Sequence, residues 1–259
     1  MSDNSTPAAG TAADNQQRPP MFYWRPVPIA AATHGWMKIR PEQHFGFASR
    51  TNAVPVTVPE FVLAARHYPI IFVGAEMVPT VALGFRPDEN LLVNEAGAWE
   101  RGMYVPAYVR RYPFILLGRQ DDARLQLGID DAAGTGMQGA RPLFEGEKET
   151  QIVRDALSLC EQFHGAYLFT QEFTKTLKAA GLVEERALDL PGAGGEKLNI
   201  GSFQAVNEQK FRDISDSTAA EWRKRGFLHA VYFHLQSLNN WETLLERANR
   251  RQEAQKARA

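Results

Sequence analysis

"VPEFVLAARHYPIIF" (58–72) and "VPAYVRRYPFILL" (105–117) repeat one pattern twice in the first half of the chain. In each copy Val-Pro precedes an aromatic residue, a basic pair follows, and Tyr-Pro leads into an apolar run. Proline is tolerated in the first turn of a helix, and the residue before a proline is pushed out of the α region. The pattern therefore predicts two short helices, Pro59 to His67 and Val105 to Arg111, each turning a corner into a strand at Tyr-Pro.

The repeated corner has two interpretations, and the residues leave both open. In the structural one, the tyrosine rings cover the corner and the basic side chains lie near the negative end of the helix dipole. In the functional one, both corners border one groove, since Arg and Tyr are suited to binding carboxylates, phosphates or sugars. The candidate ligand-binding residues are then Glu60, Arg66, His67, Tyr68, Arg111 and Tyr112.

Around the two corners, residues 21–145 read as a β-rich half. Short apolar runs bounded by Pro, Gly, Asn or Asp are typical of strands, and the chain offers "AVPVTV", "YPIIFVG", "TVALGF", "NLLVN" and "FILLG". Ahead of them, "MFYWRPVPIA" (21–30) contains two prolines that force an extended path. We expect this segment to lie across the domain or to enter a sheet edge.

The second half changes its hydrophobic period. Apolar side chains at spacings of three and four run through residues 149–181 and predict one long amphipathic helix, with Gly181 as its C-terminal cap. Phe163 and Tyr167 belong to the apolar stripe of this helix. Gly165, in the middle, predicts either close packing or a kink.

Beyond this helix the chain reads as a strand followed by further helices. A Gly-rich link, "PGAGGEK" (191–197), precedes a predicted strand at 198–207. Residues 215–226 predict a helix with a Ser or Asp cap and a stop at Gly226. Residues 227–250 predict a last helix with one apolar face that includes Tyr232.

These elements predict an α+β fold in which helical stripes cover a sheet. We expect a single domain over residues 21–250, β-rich at 21–145 and mainly helical at 147–250. A polar, disordered tail (1–20) precedes it, and a frayed tail (251–259) follows.

Charge and the reactive residue types restrict the function. Lys plus Arg (29) nearly cancels Asp plus Glu (30), so the sequence predicts no nucleic-acid partner. One cysteine, Cys160, allows no intramolecular disulfide, and its place on an apolar stripe predicts an inert thiol. Six histidines show no HxH or HExxH spacing; a metal centre from His34, His44 and Glu60 is the least favoured reading. We therefore predict no metal and no cofactor.

The sequence predicts neither a secretory leader nor a membrane span. "MSDNSTPAAGTAADNQQRPP" (1–20) lacks the basic and apolar regions of a signal peptide, and no window approaches the 18 or so apolar residues of a membrane helix. The expected location is the cytoplasm, and export by a route without such a signal stays open.

Several separated motifs together resemble the SapC family of proteobacterial proteins, over about residues 21–248. They are "FYWRPVPI", "EFVLAARHYPIIF", "ENLLV", "YVPAYVRRYPF", "IGSFQAVNEQKF" and "GFLHAVYFHLQSLNNW". The family takes its name from a surface-array (S-layer) locus, and its genes often neighbour flavin-dependent halogenase-like and cupin-like proteins. The resemblance supplies no catalytic residues. The membrane permease of the same name is not similar to this chain.

Two classes of function remain. The first is a non-enzymatic binding or surface-associated (S-layer-type) protein that recognises a peptide, a sugar or a related small polar ligand, or that self-assembles. The second is an enzyme or enzyme partner acting on a peptide, amino acid or carbohydrate derivative together with halogenase- or cupin-type oxygenases. A deep cleft where Glu60, His67, Arg111 or Glu76 converge would favour the enzyme. The first class is preferred, because no catalytic constellation is visible in the sequence.

Overall fold

The computed structural model describes residues 19–39, 44–118, 125–133, 140–191 and 197–258. Of the tail predicted over residues 1–20, only Pro19 and Pro20 fall within the described residues. The rest of that prediction lies outside them.

Most strands lie in the N-terminal half and most helical residues in the C-terminal half, which confirms the α+β prediction. The strands are Pro26–Pro28 (β1), Lys38–Ile39 (β2), Ala53–Pro55 (β3), Ile70–Val73 (β4), Val78–Ala82 (β5), Phe114–Leu117 (β6), Gln126–Asp130 (β7), Arg141–Pro142 (β8), Phe144–Glu145 (β9), Lys148–Glu149 (β10), Val183–Pro191 (β11) and Lys197–Val206 (β12). The α-helices are Ala31–His34 (α1), Phe61–Ala64 (α2), Ala107–Arg110 (α3), Gln151–Ala179 (α4), Glu208–Arg212 (α5), Asp216–Arg225 (α6), Phe227–Ser237 (α7) and Asn240–Arg258 (α8). Short 3-10 helices lie at Gly46–Ala48 and Val58–Glu60.

Eight of the twelve described strands form two antiparallel sheets, and β2 with β8 and β9 with β10 form two short pairs. The larger has five strands in the order β11-β12-β4-β5-β3, and the smaller has three in the order β1-β7-β6. β1 pairs with β7 at one edge of the smaller sheet, which confirms that residues 21–30 enter a sheet edge. β3 and β6 are edge strands as well.

Helix α4 packs against both sheets. Val153, Ala156 and Cys160, in its first half, belong to a core that also contains Phe114 and Ile129 of the smaller sheet. Farther along, Phe173 and Leu177 belong to a second, larger core built on the five-stranded sheet and the C-terminal helices. The middle of α4 therefore bridges the two cores, and the candidate site lies there.

The long helix agrees with the prediction except at its central glycine. α4 is continuous, and Gly181 follows it with a positive φ of 66°, as a C-terminal cap requires. A Cβ atom built on Gly165 would meet nothing within 4 Å. Close packing therefore does not explain Gly165, and that prediction is wrong.

The C-terminal stretch differs from the single predicted helix. It breaks between α7 and α8, where the Asn240 side chain donates to the carbonyl oxygens of Ala65 (2.8 Å) and Tyr68 (3.1 Å). Tyr232, predicted on the apolar face, is 60% exposed. α8 also continues to Arg258, past the predicted start of fraying, and Arg251 donates to the Asn90 carbonyl oxygen (2.7 Å) within this extension.

The β-rich half contains one further difference. The run "NLLVN" (90–94), predicted as a strand, forms only an isolated bridge between Val93 and Trp99. The Asn90 side chain accounts for the irregular path, since it donates to the Ala48 carbonyl oxygen and accepts from the backbone N–H of Leu92.

Candidate functional site

The two repeated motifs form helix-to-strand corners, as predicted. In the first, the 3-10 helix Val58–Glu60 continues into α2, and Tyr68-Pro69 leads into β4. In the second, α3 follows Pro106 and Tyr112-Pro113 leads into β6. The observed helices are shorter than predicted. Turns replace the last residues of the first, and the second begins at Ala107 and ends at Arg110.

The Glu60 carboxylate links the two corners by hydrogen bonds. One carboxylate oxygen accepts from the backbone N–H of Ala107 (2.7 Å) and from the Tyr104 hydroxyl (2.8 Å). The other accepts from the backbone N–H and the hydroxyl of Thr57, both at 2.8 Å, which forms a capping box. Glu60 is 7% exposed, so these four hydrogen bonds replace its hydration. Its role in this structure is to hold backbone donors.

The remaining residues of the first corner lie outside the cleft described below. Tyr68 is fully buried; its hydroxyl donates to the Tyr104 carbonyl oxygen (2.5 Å) and accepts from the Trp99 indole (3.1 Å). Arg66 is exposed and His67 is half-buried. Burial lowers the pKa of His67, and the nearby positive charges of Arg66 and Arg247 lower it further.

Tyr112 of the second corner is also engaged. Its ring packs on Phe47 with 4.3 Å between ring centroids, and its hydroxyl donates to the Asp130 carboxylate at 3.3 Å. Burial raises the pKa of Tyr112 to about 12, and the negative charge of Asp130 contributes to the rise. Tyr112 belongs to an aromatic cluster beside the cleft and does not line it.

A cleft of about 520 Å³ opens along the middle of α4. One face of α4 forms one wall. The end of β3, the turn between β4 and β5, α3 and the edge strand β6 form the rest. Of the six predicted site residues, only Arg111 lines this cleft. The structure therefore does not bring the two corners around one groove, because Glu60 and Tyr68 face the buried contact between them.

The guanidinium of Arg111 lies against a cluster of aromatic rings. Its central carbon lies 4.4 Å from the ring centroids of both Tyr108 and Phe163, and 5.8 Å from that of Tyr23. Its Nε atom is buried and has no hydrogen-bond partner. Within the described ranges, no carboxylate forms a salt bridge with Arg111. The cleft thus presents a cation with unused hydrogen-bonding capacity.

Other charges around the cleft reinforce this positive character. Lys175 and Lys178 line it from α4, and Glu76 lines it from the turn between β4 and β5. The Lys178 ammonium donates to the Ala75 carbonyl oxygen at 3.2 Å. Together with Arg111 the lining carries three cationic side chains against one carboxylate. Apolar groups cover much of the remaining wall, among them Val56, Met77, Val78, Ile115 and Leu116.

Cys160 lines the inner part of the cleft but is 2% exposed. Burial raises the pKa of its thiol to about 11, although the positive charge of Arg111 opposes the rise. The thiol is therefore protonated at neutral pH, which makes it a poor nucleophile. His164 lines the same cleft from the next turn of α4.

Sequence reasoning missed the contribution of α4 to the site. The sequence predicts Phe163 and Tyr167 on one apolar stripe of α4, whereas the Phe163 ring centroid lies 4.4 Å from the Arg111 guanidinium carbon and Tyr167 is 39% exposed at the cleft. A signal was present in the aromatic pair spaced by four residues beside Gly165, a position with no packing requirement. Only the bridging of two cores by α4 shows that this face borders a cleft.

The described part of the chain contains no cluster of metal-binding side chains. No group of three or more His, Cys, Asp or Glu side chains there is placed to hold a metal ion. His34 is buried and bonded locally, with its Nδ1 atom 2.8 Å from the Thr33 hydroxyl. No described helix combines the length and the apolar character that crossing a bilayer needs.

The SapC family model matches residues 29–244. The chain belongs to the SapC family. This match confirms the resemblance found in the sequence. No curated protein and no solved structure matches the chain.

Proposed function

We propose that this SapC-family chain is a non-enzymatic binding protein that holds a small carboxylate-bearing ligand in the α4 cleft. The observation that carries the proposal is the buried Nε atom of Arg111, which has no hydrogen-bond partner although its guanidinium lies at the wall of a 520 Å³ cleft. A buried donor without a partner costs about 1–3 kcal/mol. A carboxylate that reaches the guanidinium from the cleft would supply an anionic partner for this cation.

A carboxylate suits the guanidinium of Arg111. The guanidinium packs against the rings of Tyr108 and Phe163, and no carboxylate of the described residues forms a salt bridge with it. Arginine binds carboxylates through two parallel hydrogen bonds, and such charge-assisted bonds are stronger than neutral ones. The excess of Lys175 and Lys178 over Glu76 also favours an anion.

The rest of the lining narrows the ligand class. Ligand sites combine mostly apolar walls with a few placed polar groups, and the α4 cleft has this composition. A peptide, an amino acid derivative or an acidic sugar would place its carboxylate at Arg111 and its body against the aromatic and apolar wall. The family resemblance adds the proposal that such binding serves a surface-associated, S-layer-type role.

The enzymatic alternative has less support. Cys160 is the one nucleophilic thiol of the sequence, and the raised pKa of about 11 keeps it protonated. Glu60 uses both carboxylate oxygens to hold backbone and hydroxyl donors, so it is not free to act as a base. Association with halogenase-like or cupin-like proteins stays a proposal that only the resemblance supports.

Thermal-shift and calorimetric titrations test the proposal. The panel pairs carboxylates with uncharged counterparts: N-acetyl amino acids and their amides, short peptides and their amides, and uronic acids and neutral sugars. We expect only carboxylates to raise the melting temperature, because a ligand that binds the folded state stabilises it by mass action.

Two arginine variants decide whether Arg111 is responsible. Arg111→Met should abolish the shift while circular dichroism reports a folded protein. Arg66→Met is the matched control, since it removes the exposed arginine of the other corner and should leave binding intact. Binding that survives Arg111→Met, or that is lost equally in Arg66→Met, contradicts the proposal.

A further inference from the structure

The edge strand β6 borders the α4 cleft. Among the described residues β6 pairs with β7 alone, so no described strand lies along its other edge. Ile115 and Leu116 both line the cleft, and the side chains of consecutive strand residues point to opposite faces of a sheet. Because two consecutive residues of β6 border the cleft, the cleft runs beside this part of the strand.

The register shows which backbone groups point out of this edge. The N–H of Asp130 donates to the Pro113 carbonyl oxygen (2.9 Å), and hydrogen-bonded and non-hydrogen-bonded pairs alternate along an antiparallel ladder. Ile115 and Gly128 are therefore a hydrogen-bonded pair, whereas Leu116 and Leu127 are not. The Leu127 carbonyl oxygen accepts from Ile29 on the far side instead (3.0 Å). Both backbone groups of Leu116 thus face away from β7.

Leu116 differs from the other residue of β6 that faces the same way. The N–H of Phe114 donates to the Arg111 carbonyl oxygen (2.7 Å), and its carbonyl oxygen accepts from the Tyr23 hydroxyl (2.6 Å). Among the described residues, Leu116 has no such partner for its outward N–H and C=O. This free donor and acceptor form one docking point of the kind that an added strand uses.

The other edge strand at the cleft is less suited to pairing. β3 contributes Pro55 to the lining, and proline has no N–H to donate. A strand entering the cleft therefore finds a complete donor and acceptor pair on β6 but not at Pro55. The free pair lies on the strand that begins directly after the corner bearing Arg111.

We propose that the ligand of the α4 cleft is a short extended peptide that pairs with Leu116 as an added strand and ends with a free C-terminal carboxylate at Arg111. This inference rests on the proposed function and adds the ligand class and its direction. Because Arg111 precedes β6, a peptide that ends at Arg111 runs antiparallel to β6. The groups of Phe114 are already bonded, so the last residues of the peptide span the gap without pairing, about two residues at roughly 3.4 Å each.

A comparison of free and amidated peptides is the primary test. Fluorescein-labelled hexapeptide mixtures, each with one fixed residue near the C-terminus, are made once as free acids and once as C-terminal amides. Fluorescence anisotropy should show that the best acid mixtures bind at least about tenfold more tightly than their amides. A tenfold difference in affinity corresponds to about 1.4 kcal/mol. Arg111→Met should remove the difference. Equal binding of acids and amides overturns the inference.

Backbone substitutions test the pairing. In the best acid peptide, N-methylation at one interior residue should weaken binding about tenfold, and methylation at its two neighbours should not. Leu116→Pro removes an outward N–H that makes no bond to β7, together with the leucine side chain, so it should weaken peptide binding similarly. Leu116→Ala is the control that keeps the N–H. If methylation weakens binding equally at every position, the peptide does not bind as an added strand.

The outcomes also separate this inference from the proposed function. If only non-peptide carboxylates bind, and they require Arg111, the proposed function stands and the peptide inference falls. If no carboxylate requires Arg111, both fall. If peptide acids require both Arg111 and the N–H of Leu116, both are supported.

Discussion

The carboxylate of Glu60 accepts a hydrogen bond from the backbone N–H of Ala107 at 2.7 Å, and the two residues occupy the same position in the repeated Val-Pro motif. The first copy carries the acid and the second carries alanine, so one carboxylate caps the start of both short helices. Helices this short are not stable alone. The repetition is explained by two corners that hold each other, with only the second corner facing the cleft.

Replacing Glu60 should destabilise the protein strongly. Glu60→Ala leaves the buried backbone donors of Thr57 and Ala107 without partners, and we expect the free energy of unfolding to fall by about 3–5 kcal/mol. Glu60→Gln retains one acceptor oxygen, so its cost should be smaller. Urea denaturation followed by tryptophan fluorescence measures both values.

The exposed Glu161 of α4 provides a matched control for this prediction. Glu161→Gln should change the free energy of unfolding by less than about 0.5 kcal/mol. A Glu60→Ala variant as stable as this control would show that the capping network contributes nothing.

Local patterns predicted the parts of the fold that local chemistry determines. Proline and Tyr-Pro set both corners, and the positive φ of Gly181 and Gly226 ends α4 and α6 as predicted. β11 was not predicted at all. Its first residues, including Glu184, Glu185 and Arg186, have no strand preference, and pairing along β12 determines their conformation.

The candidate site, like the fold, was predicted only where local sequence patterns determine it. Arg111 was among the predicted ligand-binding residues, because its type and its motif are visible in the sequence. Its aromatic neighbour Phe163 and the open edge at Leu116 were not predicted, since both depend on how α4 and β6 pack. Tertiary packing decides which of two equivalent corners faces a cleft, and no local pattern contains that information.

The buried His234 should make stability depend on pH. Its Nε2 atom accepts from the Val206 backbone N–H (3.0 Å), and burial lowers its pKa to about 3. Between this value and the unfolded pKa of about 6.5, the unfolded chain binds the proton and the folded protein does not. Stability is therefore lost as pH falls through this window, by about 2 kcal/mol at pH 5.

Chemical denaturation at pH 5 and pH 8 measures this loss. His234→Gln keeps an acceptor but cannot titrate, so its stability should fall less than that of the native protein over the same range. His229→Gln, at an exposed position of the same helix, should behave like the native protein. Parallel pH dependence in all three proteins would refute the assignment to His234.

Cys160 should react slowly despite its place at the cleft. With a pKa of about 11, the fraction of Cys160 present as thiolate at neutral pH is roughly a hundredfold smaller than that of an ordinary cysteine. Its rate with a disulfide reagent should be low at pH 7 and rise toward pH 10. The protein unfolded in urea is the control and should react at the ordinary rate. Rapid reaction of the folded protein at pH 7 would show that Cys160 can act as a nucleophile.

Gly165→Ala should stabilise the protein, because the native position uses none of the freedom that glycine provides. Gly165 lies inside the continuous helix α4, and a Cβ atom there meets nothing within 4 Å. Alanine is favoured over glycine in a helix interior by about 1 kcal/mol, and thermal or urea unfolding should show a gain of this order.

Gly128→Ala is the contrasting variant. A Cβ atom at Gly128 would lie 2.4 Å from a methyl carbon of Leu117 and 3.0 Å from the Val27 carbonyl oxygen, so this change should destabilise the protein by about 1–3 kcal/mol. If Gly165→Ala is stable but binds the cleft ligand less tightly, the glycine leaves space for the ligand beside Phe163. If it is destabilised, the conformation of α4 at this point differs from a regular helix.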